Sequence, residues 1–307
     1  MITVAIAGSS GLAQYIAHFI STQTSHSFII LSRTNNPELA AKGWQVIKVD
    51  YNKGADLQYA LKGVDTVIST ISGSAEIKLI DAAAQARVRR FVPSEFEGPP
   101  LHPSMPSILD RGNSQAIERL QYYQPYGMRY TVFVCGIFYE RFAPGGMRAL
   151  QLGKSTHIGG EGDFLLDIRN RRADLLYVDN TGQQPVYICM TSCQDLARFL
   201  VAALQYPNWP NELRMYGSKL SVTELVHLAG NTMCEQFQVS AIHTKQSLLG
   251  LLQAAKSQGN LVQQWKLSHL LATTEGCYNF GNTNLQSFVQ LQPETFQSWI
   301  GRTWAGS

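Results

Sequence analysis

The stretch "VAIAGSSGLAQYIA", residues 4–17, decides the fold. Residues 2–7 are an almost unbroken apolar run, the pattern of a strand buried on both faces, and Gly8 ends it. Leu12, Ile16, Phe19 and Ile20 then recur at helical spacing. A strand passing through glycines into a helix is the arrangement that seats a dinucleotide's pyrophosphate on a helix N-terminus. There the first glycine permits the tight turn, the second lets backbone approach the phosphates, and the third lets the helix pack against the sheet. Gly8 and Gly11 take the first two places, and Gln14 stands at the third. The exchange is expected to cost packing room and to leave phosphate contacts in place. Ser9 and Ser10 add hydroxyl donors, and Leu12 opens the helix.

The alternation continues downstream. Strands are expected at 27–33, in "WQVIKVD" ending at Asp50, in "VDTVIST" ending at Ser69 and Thr70, in "VRRFVPS", and in "MRYTVFVCG". Helices are expected at 37–42, 55–61, 75–86 and 111–123. Strands alternating with helices pair in parallel through right-handed crossovers, so the fold class is α/β with a doubly wound parallel sheet. Its ligand crevice lies at the C-terminal strand ends, where the winding reverses. Beyond Pro144 the pattern loosens: helices read at 192–204, 221–233, 244–256 and 293–300, short strands at 187–189, 212–216 and 236–241. The expected organisation is a dinucleotide-binding domain over 1–150 and a smaller α+β substrate lobe over 151–307. Segments of the two are expected to interleave around the cleft.

The second strand ends in Ser32-Arg33-Thr34. A site for the unphosphorylated coenzyme would place Asp or Glu there, on the ribose hydroxyls. A guanidinium instead pairs with a 2′-phosphate in bidentate fashion, so the expected cofactor is NADP(H). The plainer reading of Arg33 is a solvated strand-end charge. Asp50 and Tyr51 sit where adenine contacts arise. Ser69, Thr70 and Ile71 are candidates for the pyrophosphate and nicotinamide ribose, and Pro93, Ser94 and Phe96 end the fifth strand.

Composition narrows the classes. The chain has 307 residues, 45% hydrophobic and 15% charged, enough for a sizeable core. A net charge of +3 is too weak and scattered to argue for nucleic acid. The run "RNRRAD" at 169–174 reads as a solvated turn. Five cysteines at irregular spacing fit no zinc pattern and read as reduced thiols of a cytoplasmic protein. The histidines show no metal spacing. No membrane span and no signal peptide are expected, and the chain is expected to be a monomer or homodimer.

"RRFVPSEFEG" at 89–98 is the most specific stretch. With "GVDTVIST" before it and "YTVFVCGIFYERFAPGG" after it, the sequence resembles the NmrA-like and isoflavone-reductase-like branch of atypical short-chain dehydrogenases. The likeness runs through the first half, with a fainter echo in "VYICMTSCQDLARFLVAAL", and the wording is nearest to fungal members of secondary-metabolite pathways. The resemblance implies the doubly wound fold, a preference for NADPH and a C-terminal substrate lobe. It does not settle the reaction.

Ordinary members of the wider group use Tyr-x-x-x-Lys, and no tyrosine here has lysine four residues on. The plant reductases that the sequence resembles use a lysine on the helix after the "PSEFG" strand. Here that helix reads "DRGNSQAIERLQYY", and no lysine occurs between Lys78 and Lys154. Glu95, Tyr139 and Glu140 are the alternative proton-handling candidates, with Asn113 as a hydrogen-bond donor. A reductase of an iminium carbon would need no such acid. A redox-neutral cyclase or isomerase of Pictet–Spengler type, keeping NADPH bound, and an NmrA-type NADP(H) sensor also remain open. Phe138, Phe142, Phe164 and Trp265 suggest an apolar, aromatic wall for a small hydrophobic substrate, with the segment 163–168 as a lid.

Overall fold

A computed structural model describes residues 1–98, 107–153, 156–179 and 181–305. Their elements run β1 (Thr3–Ala7), α1 (Leu12–Gln23), β2 (Ser27–Ser32), α2 (Pro37–Ala41), β3 (Val46–Lys48), α3 (Gly54–Ala60), β4 (Thr66–Ser69), α4 (Ser74–Gln85), β5 (Arg90–Val92), α5 (Ser107–Asp110), α6 (Asn113–Tyr123), β6 (Arg129–Tyr130) and β7 (Val132–Val134). There follow β8 (Ile137–Phe138), α7 (Gly146–Ala149), β9 (Leu166–Asp167), β10 (Arg172–Tyr177), β11 (Tyr187–Thr191), α8 (Cys193–Ala203), β12 (Glu212–Arg214) and β13 (Ser218–Ser221). The chain ends through α9 (Val222–Met233), β14 (Gln238–Thr244), α10 (Lys245–Ser257), α11 (Leu261–Thr274), α12 (Asn284–Val289) and α13 (Phe296–Trp304).

Two compact units divide the chain. One comprises 1–96, 110–134 and 197–213; the other comprises 97–109, 135–196 and 214–307. The chain therefore changes unit after Phe96, Leu109, Val134, Leu196 and Leu213.

In the first unit six strands pair in the order β3-β2-β1-β4-β5-β6. Every pairing is parallel. This is the strand order of a doubly wound dinucleotide-binding sheet, and the winding reverses between β1 and β4. Burial on both faces explains the continuous apolar runs: Val4, Ala5, Ile6, Ala7, Ile30, Leu31, Val67, Ile68, Phe91 and Val92 are all fully buried. α1 covers the sheet with Leu12, Ala13, Ile16, Ala17 and Ile20. Arg90 is a buried cation within β5. It is held by Thr66 Oγ1 at 3.0 Å, the Tyr206 carbonyl at 2.9 Å and Asp65 at 3.1 Å, and it lies over the Trp209 ring. Those partners meet the polar demand of a buried guanidinium.

The second unit carries two small sheets, ordered β14-β10-β9 and β13-β11-β8. Two features differ from expectation. The run 169–174 is only partly a turn: Arg172 begins β10, which pairs in parallel with β14 across a bulge at Ala173/Asp174. The helix α11 was not foreseen, because it is buried nearly all round, from Trp265 through Thr274 apart from Lys266, and so has no amphipathic stripe to read. Among the described residues no helix is long and apolar enough to cross a membrane, and no cluster of His, Cys, Asp or Glu could hold a metal ion.

Candidate functional site

The glycine loop has the geometry its sequence demands. Gly8 has φ +111°, a conformation open to glycine, and a Cβ there would collide with Thr70 Oγ1. Its N–H donates to the Leu31 carbonyl at 3.0 Å. Gly11 is the N-cap of α1 and offers no side-chain cap; the Ala13 and Gln14 N–H groups turn back to the Ser10 and Gly11 carbonyls, each at 3.1 Å. A twelve-residue helix with an uncapped N-terminus is a natural anion seat. Gln14 does more than fill space: its side-chain amide donates to the Ser9 carbonyl at 3.1 Å, tying helix to loop. Ser32, buried at the end of β2, donates to Ser9 Oγ at 3.3 Å and accepts from Thr34 N–H at 3.3 Å. Between them Arg33 is exposed and pairs with no carboxylate among the described residues.

Several other strand-end candidates already have structural work. Asp50 caps its own turn, accepting from Asn52 N–H at 2.9 Å. The Tyr51 hydroxyl donates to the Leu31 carbonyl at 3.0 Å, and burial raises its pKa far above the usual phenol range. Ser69 donates to the Ile71 carbonyl at 3.0 Å and Thr70 to the Ala7 carbonyl at 2.8 Å. These groups shape the crevice floor, with their hydroxyls directed to backbone. Pro93 and Phe96 are buried and Ser94 half-buried beside them.

Glu95 and Asn113 are brought together. The Asn113 side-chain amide donates to Glu95 Oε2, and its own Oδ1 accepts from no described residue although the side chain is buried. The approach of the two helices that carry this region depends on glycine. A Cβ on Gly112, which has φ +91°, would lie 3.1 Å from Gly73 Cα. Asp110 fixes the start of α6 by accepting from Ser114 N–H at 2.9 Å and Ser114 Oγ at 2.7 Å.

A third member escaped the sequence reading. Glu76, in the first turn of α4, is fully buried; its Oε1 accepts from Ser94 N–H at 2.7 Å, and its Oε2 accepts from no described residue. Burial pushes its carboxyl up to about 7, against the pull of the Ser94 N–H. The signal was present: Glu76 shares a stripe with Leu79, Ile80 and Ala83, an acid where the helix shows its apolar face.

The remaining candidates belong to the second unit. Tyr139 is fully buried, donates to the Glu294 carbonyl at 3.1 Å and packs on Phe296 and Trp299 at 5.2 and 5.5 Å. Burial holds its phenol protonated far beyond the usual range, so it is a core residue. Glu140 caps α8: both its oxygens accept from Cys193 N–H, at 2.9 and 3.0 Å, and burial pushes its carboxyl up to about 7. Phe138 lies in β8, Phe142 packs on Phe164 and Phe296, and all four are buried. Phe164, Leu165, Leu166 and Ile168 belong to the buried hydrophobic cluster of this unit. Trp265 is buried in a row of rings with His157 and His269.

With this geometry in view, similarity to known proteins becomes informative. A family model described as the NmrA-like family matches residues 2–251. An "Oxidoreductase BOA1" of Botryotinia fuckeliana is 27% identical over 256 residues, 77% of this chain and 78% of that protein. An "Oxidoreductase aprR" of Aspergillus flavus is 32% identical over 147 residues, 45% of this chain and 50% of that protein. Among solved structures, one described as "AtPrR2 with NADP+ and (+)pinoresinol" superposes with a TM-score of 0.73 at 18% identity, covering 98% of each chain.

Proposed function

The chain belongs to the NmrA-like family, and on that premise we propose that it is an NADP(H)-dependent oxidoreductase that reduces a small, largely apolar molecule. The observation that carries the reading is the pairing of an uncapped α1 N-terminus with an exposed guanidinium at the end of β2. The first suits a pyrophosphate and the second a 2′-phosphate. No carboxylate stands at the end of β2 to repel that phosphate. Two fungal relatives named as oxidoreductases, and a solved neighbour described with NADP+ and (+)pinoresinol, support the same reading.

The residues fit the coenzyme. Gly8, Ser9, Ser10, Gly11 and Leu12 would hold the pyrophosphate, Ser32, Arg33 and Thr34 the phosphorylated ribose, and the ends of β4 and β5 the nicotinamide half. When bound, the coenzyme supplies a hydride. Glu95 is a group in this region able to give or take a proton, and Asn113 fixes its orientation through the amide N–H. No lysine is needed for such a role when a half-buried carboxyl stands at the end of β5.

The experiment is to purify the protein free of nucleotide, titrate NADPH and NADH by fluorescence, and then follow the reduced-nicotinamide absorbance with apolar imines, enones and quinones. Preferential NADPH binding, with loss of that absorbance in step with product, is the expected result. Failure to bind either coenzyme refutes the reading. Product formed without loss of NADPH refutes the reductase and leaves the cofactor site standing.

A further inference from the structure

Two buried acceptor atoms in the first unit lack a donor: Glu76 Oε2 and Asn113 Oδ1. They sit in the first turns of α4 and α6, which meet where Gly112 faces Gly73. Glu76 holds the Ser94 N–H, and Ser94 leads directly to Glu95, whose carboxylate holds Asn113. A carboxyl thus lies directly behind the strand ends assigned above to the nicotinamide half of the coenzyme. We propose that Glu76 is a proton-linked specificity residue, its buried carboxyl setting which oxidation state of the nicotinamide coenzyme this site prefers.

The inference rests on the cofactor reading above and follows from charge. Oxidised nicotinamide carries a positive charge on its ring and reduced nicotinamide carries none. An ionised carboxylate near the nicotinamide half would favour the oxidised form, whereas a protonated one would be neutral toward both. Glu76 is poised between the two states near neutrality. The groups acting on it come from different elements: the Ser94 N–H at the end of β5, the Glu95 carboxyl after β5, and the Arg111 guanidinium before α6. Glu95 favours the protonated form; Ser94 and Arg111 favour the ionised one. By linkage, the oxidised coenzyme draws the proton off Glu76, and the reduced coenzyme leaves it in place.

The sign is definite. As pH rises through neutrality, affinity for NADP+ strengthens relative to NADPH. For one unit charge acting on the other at an effective dielectric of about 20, the ratio of dissociation constants is expected to change by about tenfold. The coenzyme's own 2′-phosphate also titrates in this range, but equally in both forms, so it cancels from the ratio.

The test measures Kd for NADP+ and NADPH from pH 6 to 8.5 in the wild type and in Glu76→Gln, which is isosteric and cannot ionise. A shift of about tenfold in the ratio for the wild type, and a flat ratio for the variant, is expected. Calorimetry of the wild type in two buffers of different ionisation enthalpy reads the same linkage without any variant. NADP+ should release a larger fraction of a proton than NADPH at pH 7. A wild-type ratio independent of pH, equal proton release by the two forms, or a slope that persists in Glu76→Gln overturns the proposal while leaving the cofactor site intact. Absence of binding by either form overturns both.

Discussion

Replacing Arg33 with aspartate isolates the 2′-phosphate. Arg33 is exposed and pairs with no carboxylate among the described residues, so its removal strips no native ion pair from the fold. The turn around it is held separately, by Ser32 Oγ on Thr34 N–H and on Ser9. The folded protein should therefore keep its stability to within ~0.5 kcal/mol. A charge-assisted bond to phosphate is worth about 1.5–3 kcal/mol, and the exposure of this site argues for the lower end. Arg33→Ala should then raise the NADPH dissociation constant about tenfold. Arg33→Asp adds repulsion between carboxylate and phosphate and should raise it about a hundredfold. NADH should change by less than about threefold, because the new carboxylate can accept from the ribose hydroxyls. Titration of both coenzymes by fluorescence gives the comparison. Repeating it at 1 M salt, where the screening length is about 3 Å, should shrink the NADPH penalty. Equal losses for NADPH and NADH, or no loss for either, would refute the assignment of Arg33 to a 2′-phosphate.

Glu95→Gln retains an acceptor for the Asn113 amide but cannot supply a proton. It should lower kcat by about a hundredfold with NADPH affinity changed less than about twofold; unchanged kcat removes Glu95 from the chemistry. Tyr139→Phe deletes the hydroxyl that donates to the Glu294 carbonyl. The expected cost is about 1 kcal/mol in urea unfolding, with kcat preserved; a large fall in kcat at unchanged stability would return Tyr139 to the mechanism. Glu140, raised from 4.5 to about 7 mainly by burial, binds its proton more tightly in the folded chain. Its contribution is therefore fully present below pH 4.5 and lost as pH rises toward 7. Glu140→Gln, which cannot ionise, should gain on the wild type by ~1 kcal/mol or more between pH 5 and pH 8; a pH-independent difference contradicts the sign.

What was legible in the sequence were the features that repeat or that local sterics impose. Strands buried on both faces must be continuously apolar, so residues 2–7 and 66–69 announced themselves, and alternation with helices implied parallel pairing. Gly8 was readable because only glycine tolerates its turn and the close approach to Thr70, and Gly11 because its φ is positive. The exposure of Arg33 was readable because a charge at a strand end is ordinarily solvated. Tertiary structure alone decided where each hydroxyl and carboxyl spends its hydrogen bonds. Tyr139 and Glu95 looked alike as proton-handling candidates. One went to the Glu294 carbonyl in an aromatic core and the other to the Asn113 amide, and no spacing rule connects residues 155 and 18 positions apart. The same holds for Glu76. Its place in an apolar stripe was visible, but its chemistry depends on burial from all sides and on a backbone N–H delivered by a different strand. Desolvation is a sum over neighbours that only the folded chain assembles.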